Sequence, residues 1–499
     1  MCGVGQVAVR LRGVQMGSQQ RGWLRARTGC AFKPLRMAAR AWGVHVWATV
    51  GHRAHTLAPL GRADNASSSL PSQAPPPWGL REIHISSDVS VALWQFWQST
   101  RDASSGWLAA SAWPILEGVA NFWLSRLAAD NPGAPPGAPL HIVDVMPPDE
   151  FADQVTDDMW TNAGAVMALR IAAAAGALLG VPAAATQPWL DAAGRVSILY
   201  NASAEGPGIL PGAGVHPEHS TYFNVRVWCV CVGNMCSPRF SPSCTPLPPH
   251  FPASPLPCFL LPCFPQATIK QADVVLVPLM LGFTHATVTP ASRANDLVWY
   301  ARVSAPDGPA MTWAMHAMGW AAISRWQEAA QNFNRSFATT QQPFYVWWET
   351  PAGDGTRNFL TGAGGFLQAA LAGYSRLWIN DTALTLDPAL PEGASLMRLR
   401  GVAYLGARLD LAWDAAALNI TRVPPPPGRP RSQRGRVRLP RYQPGRAVRW
   451  ADADAAQLQV VDAAGLAHAL DPGVPLVLPL KGEVAIVEVE QEGKLSSSV

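Results

Sequence analysis

From Ser86 to about residue 373, apolar residues recur at helical spacing in segment after segment, and almost no alternating stretch interrupts them. A chain of this kind must bury its apolar stripes helix against helix, as a bundle, a solenoid or a ring of helical hairpins. Ser86 or Ser87 is placed to cap a first helix with Val89, Leu93, Phe96 and Trp97 on one side. Pro114 opens the next, carrying Ile115, Leu116, Val119, Phe122, Trp123 and Leu127, close enough for a helical hairpin. An Ala-rich helix over 160–179 is stopped by Gly180 and Pro182, and further helical patterns fall near 188–200, 270–281, 291–303, 310–326 and 358–373. After about Leu377 the period changes. LWINDTALTLDP, SLMRLRGVAYLGARLDLAW and VPLVLPLKGEVAIVEVE alternate, or carry β-branched residues between Gly and Pro turns, as strands do. The expected fold class is mainly α, followed by a smaller β region.

Charge separates the body of the chain from its tails. Residues 1–63 hold ten Arg or Lys and no acid, and residues 422–449 hold nine Arg and no acid. These tracts account for 19 of the 38 basic residues and none of the 34 acids, so the body is strongly acidic despite the formal net charge of +4. Nucleic-acid binding would need the positive charge on a folded surface among aromatics, which this distribution does not offer. No run of 18 uninterrupted apolar residues predicts a membrane span; the Ala-rich stretch after Val166 is broken by Arg170. Residues 1–80 show no sustained period and end in a Ser/Pro/Gly-rich run. They read as an organelle transit segment or a misassigned start, outside the catalytic domain, with a cytoplasmic chain as the default.

Between these tails, one loop offers chemistry. In HIVDVMPPDEFADQVTDDMWTN, residues 141–162, an apolar strand runs into Pro147 and Pro148 and then the acids Asp149 and Glu150. The prolines hold the backbone extended, so a carboxyl group is carried on a stiff loop where it can be aimed. A general acid for glycoside cleavage needs such a group, its pKa raised by apolar neighbours, here Phe151 and Trp160. By local spacing alone, the same acids would simply complement the start of a helix.

Four ordered blocks resolve the choice: EIHISSDVSVALWQFWQ with WPILEGVANFWLSRL, then PPDEF with WTN, then IKQADVVLVPL, and finally WWETPAGDGTRNFLTGAGGFLQ. Together they resemble glycoside hydrolase family 65 over about residues 80–380. The resemblance implies an (α/α)6 toroid over 81–375 with catalytic loops at one end, lacking its first helices, and a small C-terminal β-sandwich over 376–499. It implies Glu150 as proton donor and Glu349 as the general base that activates water. Lys270 and Gln271 become a clamp on the sugar hydroxyls. An inverting pair stands about 6.5–9.5 Å apart to leave room for that water. The implied activity is hydrolysis of α-glucosides, foremost α-1,2-glucosyl-galactosyl-hydroxylysine-type units. Trehalose is the competing substrate, and phosphorolysis or a catalytically dead sugar-binding product are the remaining alternatives. The implied partner is a carbohydrate, with no cofactor.

Three other stretches invite a functional reading and do not support it: HPEH a metal site, GAGG a phosphate loop, and the cysteine cluster a zinc or disulfide knot. His216, Glu218 and His219 in HPEH lack a further ligand set at zinc spacing, and GAGG at 362–365 lacks the Lys and Ser/Thr of a phosphate loop, so close helix packing is expected there. Six of the eight cysteines lie between Cys229 and Cys263 in a Pro-rich tract without a C-x2-C pair. That tract, 225–266, separates HPEHSTYFN from TIKQADV and is expected to be a disordered insert, consistent with translated intron in a GC-rich gene. A Pro/Arg-rich insert at 424–446 is expected to be disordered too. The family's Trp-Asp pair before EIHI is missing; the only such dipeptide is Trp413-Asp414, in the β region. Weak or absent activity is therefore expected of the chain as written.

Overall fold

Among the described residues, ten α-helices carry the first part of the fold, and their burial sorts them into two layers. The computed structural model describes residues 78–101, 106–224, 228–232, 235–239, 268–353, 355–424, 458–480 and 482–488. The helices are α1 (Trp78–Arg81), α2 (Ile85–Thr100), α3 (Trp113–Asp130), α4 (Met159–Leu178), α5 (Ala183–Ala193), α6 (Asp273–Met280), α7 (Pro290–Val303), α8 (Ala310–Ala322), α9 (Trp326–Ser336) and α10 (Leu360–Gln368). Contacts run α2 to α4, α4 to α6, α6 to α8 and α8 to α10, each step skipping one helix in sequence. The skipped helices α3, α5, α7 and α9 pack against this arc. The arc helices α4 and α8 are buried along nearly their whole length, while α3, α5 and α9 each bury four residues, as one-sided outer helices do. This explains why α4 is Ala-rich: small side chains on every face let neighbours approach from all sides.

The sequence expectations hold in outline and shift in detail. α2, expected as the first helix, begins at Ile85 with His84 at its N-cap and no side-chain cap, so neither Ser86 nor Ser87 caps it. Pro114 does sit in the first turn of α3. The span expected over 310–326 breaks into α8 and α9 at Ser324, which adopts φ +61°. The HIVDV segment is not a strand but irregular chain, bent at Asp144 with φ +51° and held by single bridges, Leu140 to Val196 and Val145 to Val155. Among the described residues α4 is long and apolar enough to cross a membrane, yet 72% of that window is buried inside the protein, as in a core helix.

The β region comprises β5 (Trp378–Ile379), β6 (Ala383–Leu386), β7 (Met397–Tyr404), β8 (Ala407–Trp413), β9 (Ala417–Arg422), β10 (Leu458–Val461), β11 (Ala467–Ala469), β12 (Pro475–Pro479) and β13 (Val484–Glu488). They form a five-stranded sheet, β11-β10-β13-β6-β5, and a four-stranded sheet, β12-β9-β8-β7, both antiparallel. Alternate residues of β8 and β9 are buried, and one apolar core gathers Leu384, Leu409, Ile420, Val460 and Ile486 from both sheets with Met318 and Phe333 from α8 and α9.

Four short strands precede these: β1 (Trp228–Val232) pairs with β2 (Met235–Arg239), and β3 (Thr340–Gln341) with β4 (Val346–Trp347). The first pair lies in the tract 225–266, where no hairpin was expected from the sequence; Gly233-Asn234 between the two strands is a two-residue hairpin signal. The rest of that tract, residues 1–77 and residues 425–446 of the second insert lie outside the described residues.

Candidate active site

The two glutamates expected to do chemistry meet at one ammonium group. Lys270 Nζ lies 2.8 Å from Glu150 Oε2 and 3.3 Å from Glu349 Oε1. The about 6.5–9.5 Å of an inverting pair is a separation of whole carboxyl groups, and Glu349 turns its other oxygen away from Lys270, to the Thr356 N–H. The shared cation draws both carboxylates inward. The Lys270 side chain is 18% exposed. Burial works against its charge, but the hydrogen bond and charge of Glu150, joined by Glu349, more than offset it and hold the amine above the usual lysine range.

The carboxyl pair after the prolines divides its work. Asp149 turns inward: its N–H donates to Asp273 Oδ2 at 2.8 Å, and its Oδ1 accepts from the Lys270 N–H at 2.8 Å. Gln271 Nε2 donates to the Pro148 carbonyl. With both residues pinned to the start of α6, Glu150 is left on the outer side of the turn, 42% exposed. Phe151, expected to wall the acid, instead faces solvent at 64% exposure, whereas Trp160 is buried and lines the cavity beneath the loops.

Glu349 is held from both sides. Its N–H donates to the Thr356 carbonyl at 3.1 Å, its carbonyl accepts from Ala310 N–H at the start of α8, and its Oε2 accepts from Thr356 N–H at 2.8 Å. The turn between is possible because Gly353 and Gly355 adopt φ +84° and +74°. A Cβ at Gly355 would collide with the Glu349 carboxylate. Gly355→Ala is therefore expected to displace that carboxylate and lower turnover by about 10²-fold, while the positive φ costs about 1–2 kcal/mol of stability; kinetics beside a thermal melt checks both.

Below the loops lies a cavity of about 60 Å³ bordered by Pro148, Trp160, Gln271, Thr312, His316 and Gln368. Trp160 Nε1, Gln271 Oε1, Thr312 Oγ1, His316 Nδ1 and Gln368 Oε1 are all buried there without a hydrogen-bond partner in the protein. Gln271 thus spends its amide nitrogen on the loop and keeps only its oxygen for another group. Burial holds His316 near pKa 4, so it is neutral.

Sequence reasoning missed a second layer. Asp158, Glu218 and Asp273 bring carboxylate oxygens within 4.8 Å of one another, all buried, directly behind Asp149. Burial pushes Asp149 and Asp158 up to about 6, and Glu218 and Asp273 well above the carboxylate range. Of the HPEH residues, His216 is committed to Asp296 and Thr287, so only Glu218 joins this cluster. GAGG behaves as expected: a Cβ at Gly362 or Gly365 would crowd Ala310 or Ala314, so these glycines seat α10 against α8. Trp413 donates to the Ala389 carbonyl within the β region, away from these loops.

Residues 65–203, which include Glu150, match the model of the glycosyl hydrolase family 65 central catalytic domain. A protein-glucosylgalactosylhydroxylysine glucosidase of Gallus gallus is 32% identical over 70% of this chain and 41% of its own length. The corresponding Danio rerio protein is 34% identical over 66% of this chain and 41% of its own length. The chain belongs to glycosyl hydrolase family 65. A kojibiose hydrolase of Mucilaginibacter mallensis is 28% identical over 69% of this chain and 41% of its own length. The chain thus spans about two fifths of the length of these family 65 relatives. A solved protein assigned as a kojibiose phosphorylase from human microbiome shares the fold, with a TM-score of 0.50 at 13% identity over 79% of this chain and 49% of that one.

Proposed function

We propose that this family 65 chain is an inverting glycoside hydrolase that releases glucose from α-glucosides, foremost α-1,2-glucosyl-galactosyl-hydroxylysine-type units. The observation that carries the reading is the convergence of Glu150 and Glu349, from separate loops, on Lys270 Nζ. Glu150 is the general acid: it passes its proton to the glycosidic oxygen as the bond to the anomeric carbon breaks. Glu349 is the general base: it takes a proton from a water that attacks the same carbon from the opposite face, leaving the anomeric centre inverted. Lys270 holds sugar hydroxyls as an ammonium donor, and its shift onto them lets the two carboxylates separate. Gln271 serves through its free oxygen as an acceptor, with the orphaned groups of the cavity beneath it.

The alternation of arc and outer helices supports an incomplete (α/α)6 toroid, and the shared core of the two antiparallel sheets supports a β-sandwich behind it. The names of the relatives favour α-1,2-linked glucosides over trehalose. The test is a panel of kojibiose, glucosylgalactosyl-hydroxylysine and trehalose with and without inorganic phosphate. Phosphate-independent glucose release is expected, weak in the chain as written for want of the Trp-Asp pair and fastest on the α-1,2 substrates; turnover that needs phosphate would make the chain a phosphorylase. Lys270→Met removes a cation shared by two carboxylates. It is expected to raise KM about tenfold or more, in line with the about 1.5–3 kcal/mol of a charged hydrogen bond, which an initial-rate series on kojibiose reads directly.

A further inference from the structure

We propose that Asp273 and Glu218 are positioning residues for Glu150, and that they act as a proton-sharing platform, with Asp158, beneath the turn that carries it. The proposal rests on the reading of Glu150 as the general acid. Its geometry is a relay of hydrogen bonds: Asp149 N–H donates to Asp273 Oδ2 at 2.8 Å, and Asp273 N–H donates to Glu218 Oε1 at 3.1 Å. Asp158 Oδ2 accepts from Thr161 N–H at the start of α4, while the Glu218 carbonyl accepts from Met159 N–H, so the same acids tie α4, α6 and the catalytic turn together. Each carboxyl group spends one oxygen on a backbone N–H. The other oxygens, Asp158 Oδ1, Glu218 Oε2 and Asp273 Oδ1, are buried without a partner.

Three ionised carboxylates packed this closely cannot coexist without compensating charge; like-charged acids in one buried site keep protons instead. The surroundings supply one cation at most, His84, whose burial works against its charge but which Asp88, Glu82 and Asp158 hold above the usual imidazole range. Facing the cluster are Asp149 on the turn, His84 with Asp88 on α2 and Glu82 before it, and the phenols of Tyr222 and Tyr300, of which only His84 can become a cation. Lys270 directs its ammonium the other way, to Glu150 and Glu349. The platform therefore holds its shape while it holds protons, and the turn loosens as they leave. Burial pushes all four acids upward, so between about pH 4 and 6 for Asp149 and Asp158, and higher for Glu218 and Asp273, the folded chain binds more protons than the unfolded one. Stability contributed by these groups is then greatest at acid pH and falls as pH rises.

The experiment compares Glu218→Gln, Asp273→Asn and Asp273→Ala with the unmodified chain, reading kcat and KM against pH, Tm against pH, and hydrogen exchange of the peptide containing Asp149 and Glu150. The two amides are neutral at every pH. They are expected to shift the alkaline limb of kcat upward by about one pH unit or more, with KM unchanged, and to flatten the fall of Tm with pH. Asp273→Ala removes the acceptor of the Asp149 N–H. It is expected to cut kcat about 10²-fold and to speed exchange of that peptide, a readout that stands even where no glucose is released. Unchanged exchange in Asp273→Ala, or amide variants with the same Tm profile as the unmodified chain, would overturn the proposal. So would a divalent cation that raises Tm of the unmodified chain and not of Glu218→Gln, since the cluster would then bind metal and not protons. Failure of the Glu150 reading alone shows separately, as Glu150→Gln with undiminished glucose release.

Discussion

Glu150→Gln is expected to lower glucose release from kojibiose by about 10²–10⁴-fold, the usual contribution of a positioned general acid, and to spare most of the turnover of α-glucosyl fluoride. Glutamine has the size of glutamate and keeps an oxygen for Lys270 Nζ, 2.8 Å away, so the turn has no reason to move. Asp149 and Pro148, not Glu150, anchor that turn to α6. What the amide cannot do is give a proton to the departing oxygen. Fluoride leaves without one, so a loss confined to the glycoside isolates proton donation from binding. Side-chain exposure of 42% makes the change nearly neutral for stability, within about 0.5 kcal/mol. Equal loss on both substrates would mean that Glu150 positions the sugar and does not protonate it.

The loops proposed to carry chemistry were legible through the resemblance of four ordered blocks to family 65, because local spacing alone fits the start of a helix as well. A proline pair before an acid and a tryptophan pair before another need no knowledge of the fold to be noticed, and both acids do lie at one site. The helices were legible for a different reason, since burial in α4 and α8 is deep enough to impose composition on every face. What periodicity hides is a polar residue facing inward. Asp273 at the start of an apolar helix reads as a charge favourable to its dipole, and Glu218 as part of a weak metal motif; each is almost wholly buried and bonded across the fold. Only pairing over long sequence distances shows this. Phe151 was misplaced by the converse error, since an aromatic beside an acid suggests a wall, while the inward turn of Asp149 swings its neighbour out. Among the strands of the β region, β9 (ALNITR), β10 (LQVV) and β11 (AHA) went unnoticed; β9 and β10 flank the Pro/Arg-rich insert, and β11 has only three residues.

The proposed base, Glu349, gives the second large effect. Glu349→Ala is expected to lower hydrolysis of both kojibiose and α-glucosyl fluoride by about 10²–10⁴-fold, because the attacking water loses its proton acceptor whichever group departs. The backbone of the turn survives the change: the Glu349 N–H still donates to Thr356 and its carbonyl still accepts from Ala310. Lost are the Thr356 N–H to carboxylate bond and the contact with Lys270, a stability cost of about 1 kcal/mol for a hydrogen bond of this kind. The space vacated by the carboxylate lies where the nucleophile is expected, and azide is small enough to enter it and needs no base. Added azide should therefore restore turnover of the fluoride and form a β-glucosyl azide, the product of one displacement with inversion. A retaining pair stripped of its nucleophile would give the same β-azide, so the stereochemistry is read on the unmodified chain: β-glucose as the first product of an α-glucoside marks one displacement, and α-glucose marks two displacements through a glycosyl-enzyme, which fits the closer spacing of a retaining pair. The approach of Glu150 and Glu349 through Lys270 would then be their working distance, and the ammonium would have no need to move aside.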